Sequence, residues 1–157
     1  MTRNEAKALL ESDDLIAIGL RADQKRQSLH PDRIVSYCTE QPDLAMRICL
    51  RPTESLLEDL ESAPQGGALT VWRRPELTAV EFLKCLAVCR LYSSANHIQI
   101  ESETAGLKIG QLALRFGADD FGSLPGNVTE EQARRVIRDA GFIPKKRDRQ
   151  YTVCYLE

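Results

Sequence analysis

Apolar residues recur at three- and four-residue steps in some stretches of the chain and alternate with polar ones in others, and the two periods sort it into helices and strands. Thr2 and Glu5 have the spacing of a capping box, and the good helix formers that follow to Leu10 predict a first helix. Ser12, Asp13 and Asp14 interrupt with capping residues. Leu15, Ile16, Ile18, Leu20 and Ala22 then resume the apolar pattern in a second helix that stops near Leu29, His30 and Pro31. Arg33 to Thr39, rich in β-branched and aromatic residues, reads as a strand, Gln41 to Asp43 as a turn and Leu44 to Leu50 as a second strand. A helix over Glu54 to Leu60 turns Leu56, Leu57 and Leu60 inward, and Pro64, Gln65, Gly66 and Gly67 form the clearest loop.

Ala68 to Trp72 is a further strand. Thr78 and Glu81 cap a long helix to about Tyr92, with Val80, Leu83, Ala87, Val88 and Leu91 on its apolar side. His97 to Glu101 alternates like a strand. In Lys108 to Ser123, Ile109, Leu112, Ala113 and Phe116 share one helical face and Gly117 stands where a helix closes; Asp119, Asp120 and Gly122 have the composition of a tight loop. Leu124 to Asn127 is a turn, and Thr129 caps a helix that runs to Gly141. Lys145, Lys146 and Arg147 read as solvated surface, and Tyr151 to Tyr155 as a last strand. Alternating helices and short strands imply an α/β fold with a mainly parallel sheet of about four to five strands flanked by helices.

The 157 residues fit one domain and fall well short of the roughly 250 of a complete eightfold barrel. A net charge of −2 gives no argument for nucleic acid. No apolar run has the length of a membrane span and the charged start is not a signal peptide, so a cytoplasmic protein without a membrane partner is expected. Five cysteines, at positions 38, 49, 85, 89 and 154, are odd in number and irregularly spaced, which reads as reduced thiols. Cys85 and Cys89 share a helical face, where they either hold a soft metal or pack as small apolar residues; the lack of a second pair favours packing. His97 at a strand start reads as a satisfied surface residue. No glycine-rich phosphate loop, metal-ligand cluster or nucleophile, histidine and acid set is identified, so no catalytic and no metal-binding residue is assigned.

Two regions carry a resemblance. Glu5 to Gly19, Ala22-Asp23, Leu29 to Pro31 and Ile34 to Tyr37 form the first. The second comprises Ile98-Gln99, Gly106 to Ser123, Glu130-Glu131, Ile137 to Phe142, Pro144, Arg147-Asp148 and Tyr151. Both are similar to the radical SAM enzymes of the futalosine route to menaquinone, the family of cyclic dehypoxanthine futalosine synthase, aminofutalosine synthase and the deazaflavin synthase subunits. On this resemblance residues 1–40 correspond to the family's N-terminal region and 76–157 to its C-terminal region, with 41–75 in place of the barrel's middle, so the fold implied is a reduced or partial radical SAM barrel.

The family's signature is three cysteines spaced C-x-x-x-C-x-x-C just after the first strand, holding an iron–sulfur cluster. Here that strand is followed by Glu40, Gln41, Pro42 and Asp43, and Cys85-x-x-x-Cys89 is followed at the third position by Tyr92. A cluster needs its thiolates converging on one site. The resemblance therefore implies a non-catalytic, truncated relative that binds a futalosine-like nucleoside or serves as an accessory protein, with no cofactor of its own. The alternative is one subunit of a split radical enzyme, with S-adenosylmethionine and a four-iron, four-sulfur cluster supplied through a partner. Gln99, Lys108, Asp120 and Ser123 are the candidate substrate contacts that the resemblance carries over, each with a surface or loop-capping role as its alternative. A partial barrel leaves sheet edges unpaired, which implies a homodimer or a complex with a menaquinone-pathway enzyme.

Overall fold

The computed structural model describes residues 1–40 and 45–151. The turn expected at Gln41 to Asp43, the start of the second strand at Leu44 and the strand expected beyond Tyr151 lie outside the described residues. Side chains of Thr2, Thr78 and Thr129 close capping boxes at the starts of α1 (Arg3–Glu11), α4 (Ala79–Tyr92) and α7 (Glu130–Asp139). Asp14 caps α2 (Leu15–Leu29) by accepting from the Ala17 amide. Each such cap satisfies amides that the first turn leaves without partners and is worth about 1 kcal/mol. The remaining helices are α3 (Glu54–Ser62), the single turn α5 (Ser102–Ala105) and α6 (Leu107–Ala113).

Six strands form one sheet, all parallel, among the described residues: β1 (Ile34–Cys38), β2 (Met46–Cys49), β3 (Ala68–Trp72), β4 (His97–Ile100), β5 (Asp120–Ser123) and β6 (Ile143–Arg147), in the order β2-β3-β4-β5-β1-β6. Strands β2 to β5 follow one another in sequence order and β1 lies beyond β5, an order suited to a partial barrel. The sheet is larger than expected because Asp120–Ser123, in the stretch read as a tight loop, and Ile143–Arg147, which contains the Lys145 to Arg147 cluster read as solvated surface, are its strands β5 and β6. Pro144 fits β6 because, among the described residues, that strand lies at the edge of the sheet, where a missing amide costs no ladder bond.

Alternation along the strands divides the two faces. Val35, Tyr37, Leu69, Val71, Ile98, Ile100 and Phe121 join the apolar core with Phe82, Leu83, Leu86 and Val88 of α4 and Leu56, Leu57 and Leu60 of α3. Helix α4 packs against α1, α2, α3 and α6 and is buried over most of its length. Val80, in its first turn, stands beyond these neighbours and is 56 % exposed, and Leu112 of α6 is 52 % exposed, so neither belongs to the core as its spacing suggested. Ile16 and Leu20 of α2 are likewise exposed. The helix expected to reach Phe116 ends at Ala113, and a tight turn carries the chain through Gly117 into β5.

Candidate functional site

The face of the sheet opposite the apolar layer is polar. Ser36, Thr70, Gln99, Asp120 and Arg147 come from five different strands and are all buried. Arg147 gathers them: Nε and Nη2 donate to Asp120 Oδ2 and Oδ1 at 2.6 and 2.8 Å, Nη2 also reaches Gln99 Oε1 at 2.9 Å, and Nη1 donates to the Asp148 carbonyl at 2.8 Å. The Ser36 hydroxyl donates to Asp120, Gln99 Nε2 donates to Thr70 Oγ1, and the Tyr151 hydroxyl donates to Gln99 Oε1. The guanidinium lies 3.9 Å from the Tyr151 ring centre. Burial works against the charge on Arg147, but its hydrogen bonds and charge contact with Asp120 hold the guanidinium protonated, well above its ordinary range.

The preceding residue builds a second centre at the N-terminal end of β4 and β5. Asp119 is buried, with Oδ1 accepting from Arg90 Nη2 at 2.5 Å and from the Ile98 amide at 2.7 Å. Its Oδ2 lies 2.6 Å from His97 Nδ1 and 3.5 Å from His30 Nε2. Burial alone would push the Asp119 carboxyl up; the hydrogen bond to His97 and the charges of Arg90, His30 and His97 outweigh it and hold it below its ordinary value. His97 is sandwiched between His30, 4.9 Å away, and Tyr151, 4.3 Å away, so one stack of rings joins the two acid centres.

At the opposite end, beyond the C-terminal ends of the strands, two adjoining clefts of about 530 and 250 Å³ share Glu103 and Pro125. Ser102, Lys108, Asn127 and Gln132 line the larger, and Arg47, Thr70, Glu101 and Ser123 the smaller. Ligands of open parallel sheets commonly bind at this end. Arg47 forks onto Glu101 at 2.6 and 2.7 Å and lies 4.3 Å over the Trp72 ring, giving the smaller cleft a fixed wall. The Ser123 hydroxyl donates to the Glu40 carbonyl at 2.7 Å.

The four sequence-predicted residues therefore separate. Gln99 and Asp120 meet through Arg147 in the buried network, whereas Lys108 and Ser123 stand at the rim in different clefts. Sequence reasoning did not single out Arg147, Arg90, Asp119, Ser36, Thr70 or Tyr151. A period-two reading of Ile143 to Arg147, with Arg147 falling two positions from Lys145 on one face, was the available signal for the first. Cys85 and Cys89 sit inside α4 among core residues. Burial pushes the Cys85 thiol up to about 12 and that of Cys89 higher still, which disfavours the thiolate a metal requires.

No family model matches the chain. It is 34% identical over 91 residues to cyclic dehypoxanthine futalosine synthase of Streptomyces coelicolor, a match covering 50% of this chain and 23% of the synthase. About half of this chain is thus similar in sequence to part of a futalosine synthase. Aminodeoxyfutalosine synthase of the same organism is 34% identical over 93 residues, covering 48% of this chain and 24% of that enzyme. The cyclic dehypoxanthine futalosine synthase of Halalkalibacterium halodurans is 28% identical over 96 residues, covering 53% and 26%. The chain thus spans about a quarter of the length of the curated relatives it matches. No helix among the described residues is long and apolar enough to cross a membrane.

Proposed function

We propose that this protein is a non-catalytic relative of the futalosine-pathway synthases that binds a nucleoside-like molecule in the clefts at the C-terminal end of its sheet. The observation that carries this reading is the closure of the polar face: Arg147, Asp120, Gln99 and Thr70 satisfy one another beneath Tyr151, so these residues are committed to the fold and binding falls to the rim. There Glu103 suits sugar hydroxyls, and the Asn127 and Gln132 amides and the Lys108 ammonium suit the acceptors and donors of a base. Gln99 and Asp120 then act from beneath the cleft, with Thr70 linking the network to the smaller opening.

The test is calorimetry and thermal-shift titration with futalosine-type nucleosides. Saturable binding that weakens in Lys108→Ala and Gln132→Ala supports the reading, and no binding at millimolar nucleoside removes it.

A second reading follows from the sheet edges. Among the described residues strands β2 and β6 each have one neighbour in the sheet, and an open edge invites a partner. Here the chain is one subunit of a split enzyme whose different partner chain brings the cluster and S-adenosylmethionine. Anaerobic purification with iron and sulfide analysis, together with light scattering on the eluted species, separates the two readings. A stoichiometric cluster held with a partner favours the split enzyme, and an iron-free species the binding protein.

A further inference from the structure

His30 caps the C-terminal end of α2 and His97 opens β4, yet both rings aim a nitrogen at the same carboxylate oxygen. His97 Nδ1 lies 2.6 Å and His30 Nε2 3.5 Å from Asp119 Oδ2. One ligand atom from each of the three residues falls within 4.8 Å of the others, the one such group of histidine, cysteine and acid side chains among the described residues. Asp119 cannot turn away, because Arg90 Nη2 and the Ile98 amide hold its other oxygen. Arg90 is itself fixed, donating from Nε to the Gly117 carbonyl at 2.7 Å and from Nη1 to the Ala95 and Asn96 carbonyls at 3.2 Å each. An outer shell of this kind orients a ligand before its metal arrives. A cavity of about 100 Å³ between His30, Asp32, Ser36, His97, Asp119 and Tyr151 adjoins the three groups, room for a few water molecules.

We propose that His30, His97 and Asp119 form a site for a divalent transition-metal ion of the Zn²⁺ type. The ligands are His30 Nε2, His97 Nδ1 and Asp119 Oδ2, and a water from the adjoining cavity is the fourth. Two imidazoles and one carboxylate select a borderline ion over Mg²⁺ or Ca²⁺, which take oxygen ligands. Ligand bonds of about 2.0–2.2 Å in a tetrahedron set neighbouring donor atoms roughly 3.4 Å apart. The separation of His30 Nε2 from Asp119 Oδ2, 3.5 Å, already meets that distance. His97 must withdraw by less than about 1 Å, exchanging its hydrogen bond for the metal. His30 exchanges its 2.6 Å contact with the Asn96 carbonyl in the same way. The ion ties the end of α2 to the starts of β4 and β5, at the end of the sheet opposite the rim clefts, and is independent of nucleoside binding.

The test uses the chain stripped with EDTA and titrated with Zn²⁺ in a calorimeter and with Co²⁺ in a visible spectrophotometer. One equivalent binds, Co²⁺ gives the visible bands of a four-coordinate nitrogen and oxygen site, and His30→Gln and His97→Gln each weaken binding at least about tenfold with the circular dichroism spectrum unchanged. Should His97→Gln fail to fold, His30→Gln decides, since its ring stands at a helix end. No uptake at micromolar Zn²⁺, uptake unchanged in a folded His30→Gln, or near-ultraviolet thiolate bands assigning the metal to cysteine would each overturn the site.

Discussion

Asp119 and Asp120 are neighbours in the chain, and each holds a different buried arginine: Arg90 on Asp119, Arg147 on Asp120. Arg90 is 1% exposed and Arg147 2%, so two ion pairs stand side by side out of water at the start of β5. Such pairs add little net stability, because desolvation offsets the attraction, but removing one partner leaves an uncompensated buried charge. Asp120→Asn therefore loses about 3–5 kcal/mol in urea unfolding, and the double replacement Asp120→Leu with Arg147→Met recovers most of that loss. A single variant within about 1 kcal/mol of the parent would show that the Arg147 network does not hold the polar face.

Asp119 makes stability depend on pH in a stated direction. Its folded carboxyl is held below the ordinary value of 3.8, so between the two values the unfolded chain binds more protons. The contribution is present above pH 3.8 and is lost as pH falls through the folded value. In the EDTA-stripped chain, melting temperature followed downward from neutral pH should drop more steeply below about pH 4 in the parent than in Asp119→Asn. His97→Gln, which removes the hydrogen bond that does most to lower the carboxyl, should flatten the same limb. Parallel curves for all three proteins would discard the assignment.

The same two acids explain where the sequence was legible. Helices α1, α4 and α7 were readable because threonine caps and apolar periodicity agree, and β3 and β4 because β-branched residues alternate there. Strands β5 and β6 were hidden because their buried inner positions are charged. Asp120 and Arg147 look like solvent-facing residues one at a time, and only the pairing of β1 with both strands brings them together. The histidines were illegible as a pair for the same reason, since neither flanking segment carries a motif and the contact is made by the sheet order. Gln99 and Asp120 were candidates through the resemblance alone, and the structure buries both in the Arg147 network, away from the rim.

Gly117 offers a backbone test. Its φ is +108°, and a Cβ there would stand 2.6 Å from Arg90 Cβ and 3.3 Å from Ala22 Cβ, atoms too near the helix backbones to move aside. Gly67 has φ +72° but open space around the same position. Gly67→Ala should cost about 1–2 kcal/mol for the left-handed conformation alone. Gly117→Ala should cost about 1–3 kcal/mol more, because it also pushes Arg90 off the Gly117 carbonyl. Equal losses in thermal unfolding would mean that α4 and the turn before β5 are not packed this closely.

The cysteines give a chemical readout of the core. Cys85 and Cys89 are fully buried in α4 and their thiols are pushed well above the ordinary value, so neither offers a thiolate at neutral pH. Cys49, on the edge strand β2, is only partly buried. Brief treatment of the native protein with iodoacetamide, read by peptide mass spectrometry, should label Cys49 at least about tenfold faster than Cys85 or Cys89, and urea should abolish the difference. The contrast bears on function because a cluster-binding or redox role for the Cys85 and Cys89 pair requires reactive thiolates in the folded chain. Native labelling of that pair as fast as Cys49 would place α4 at the surface and reopen its reading as a metal ligand.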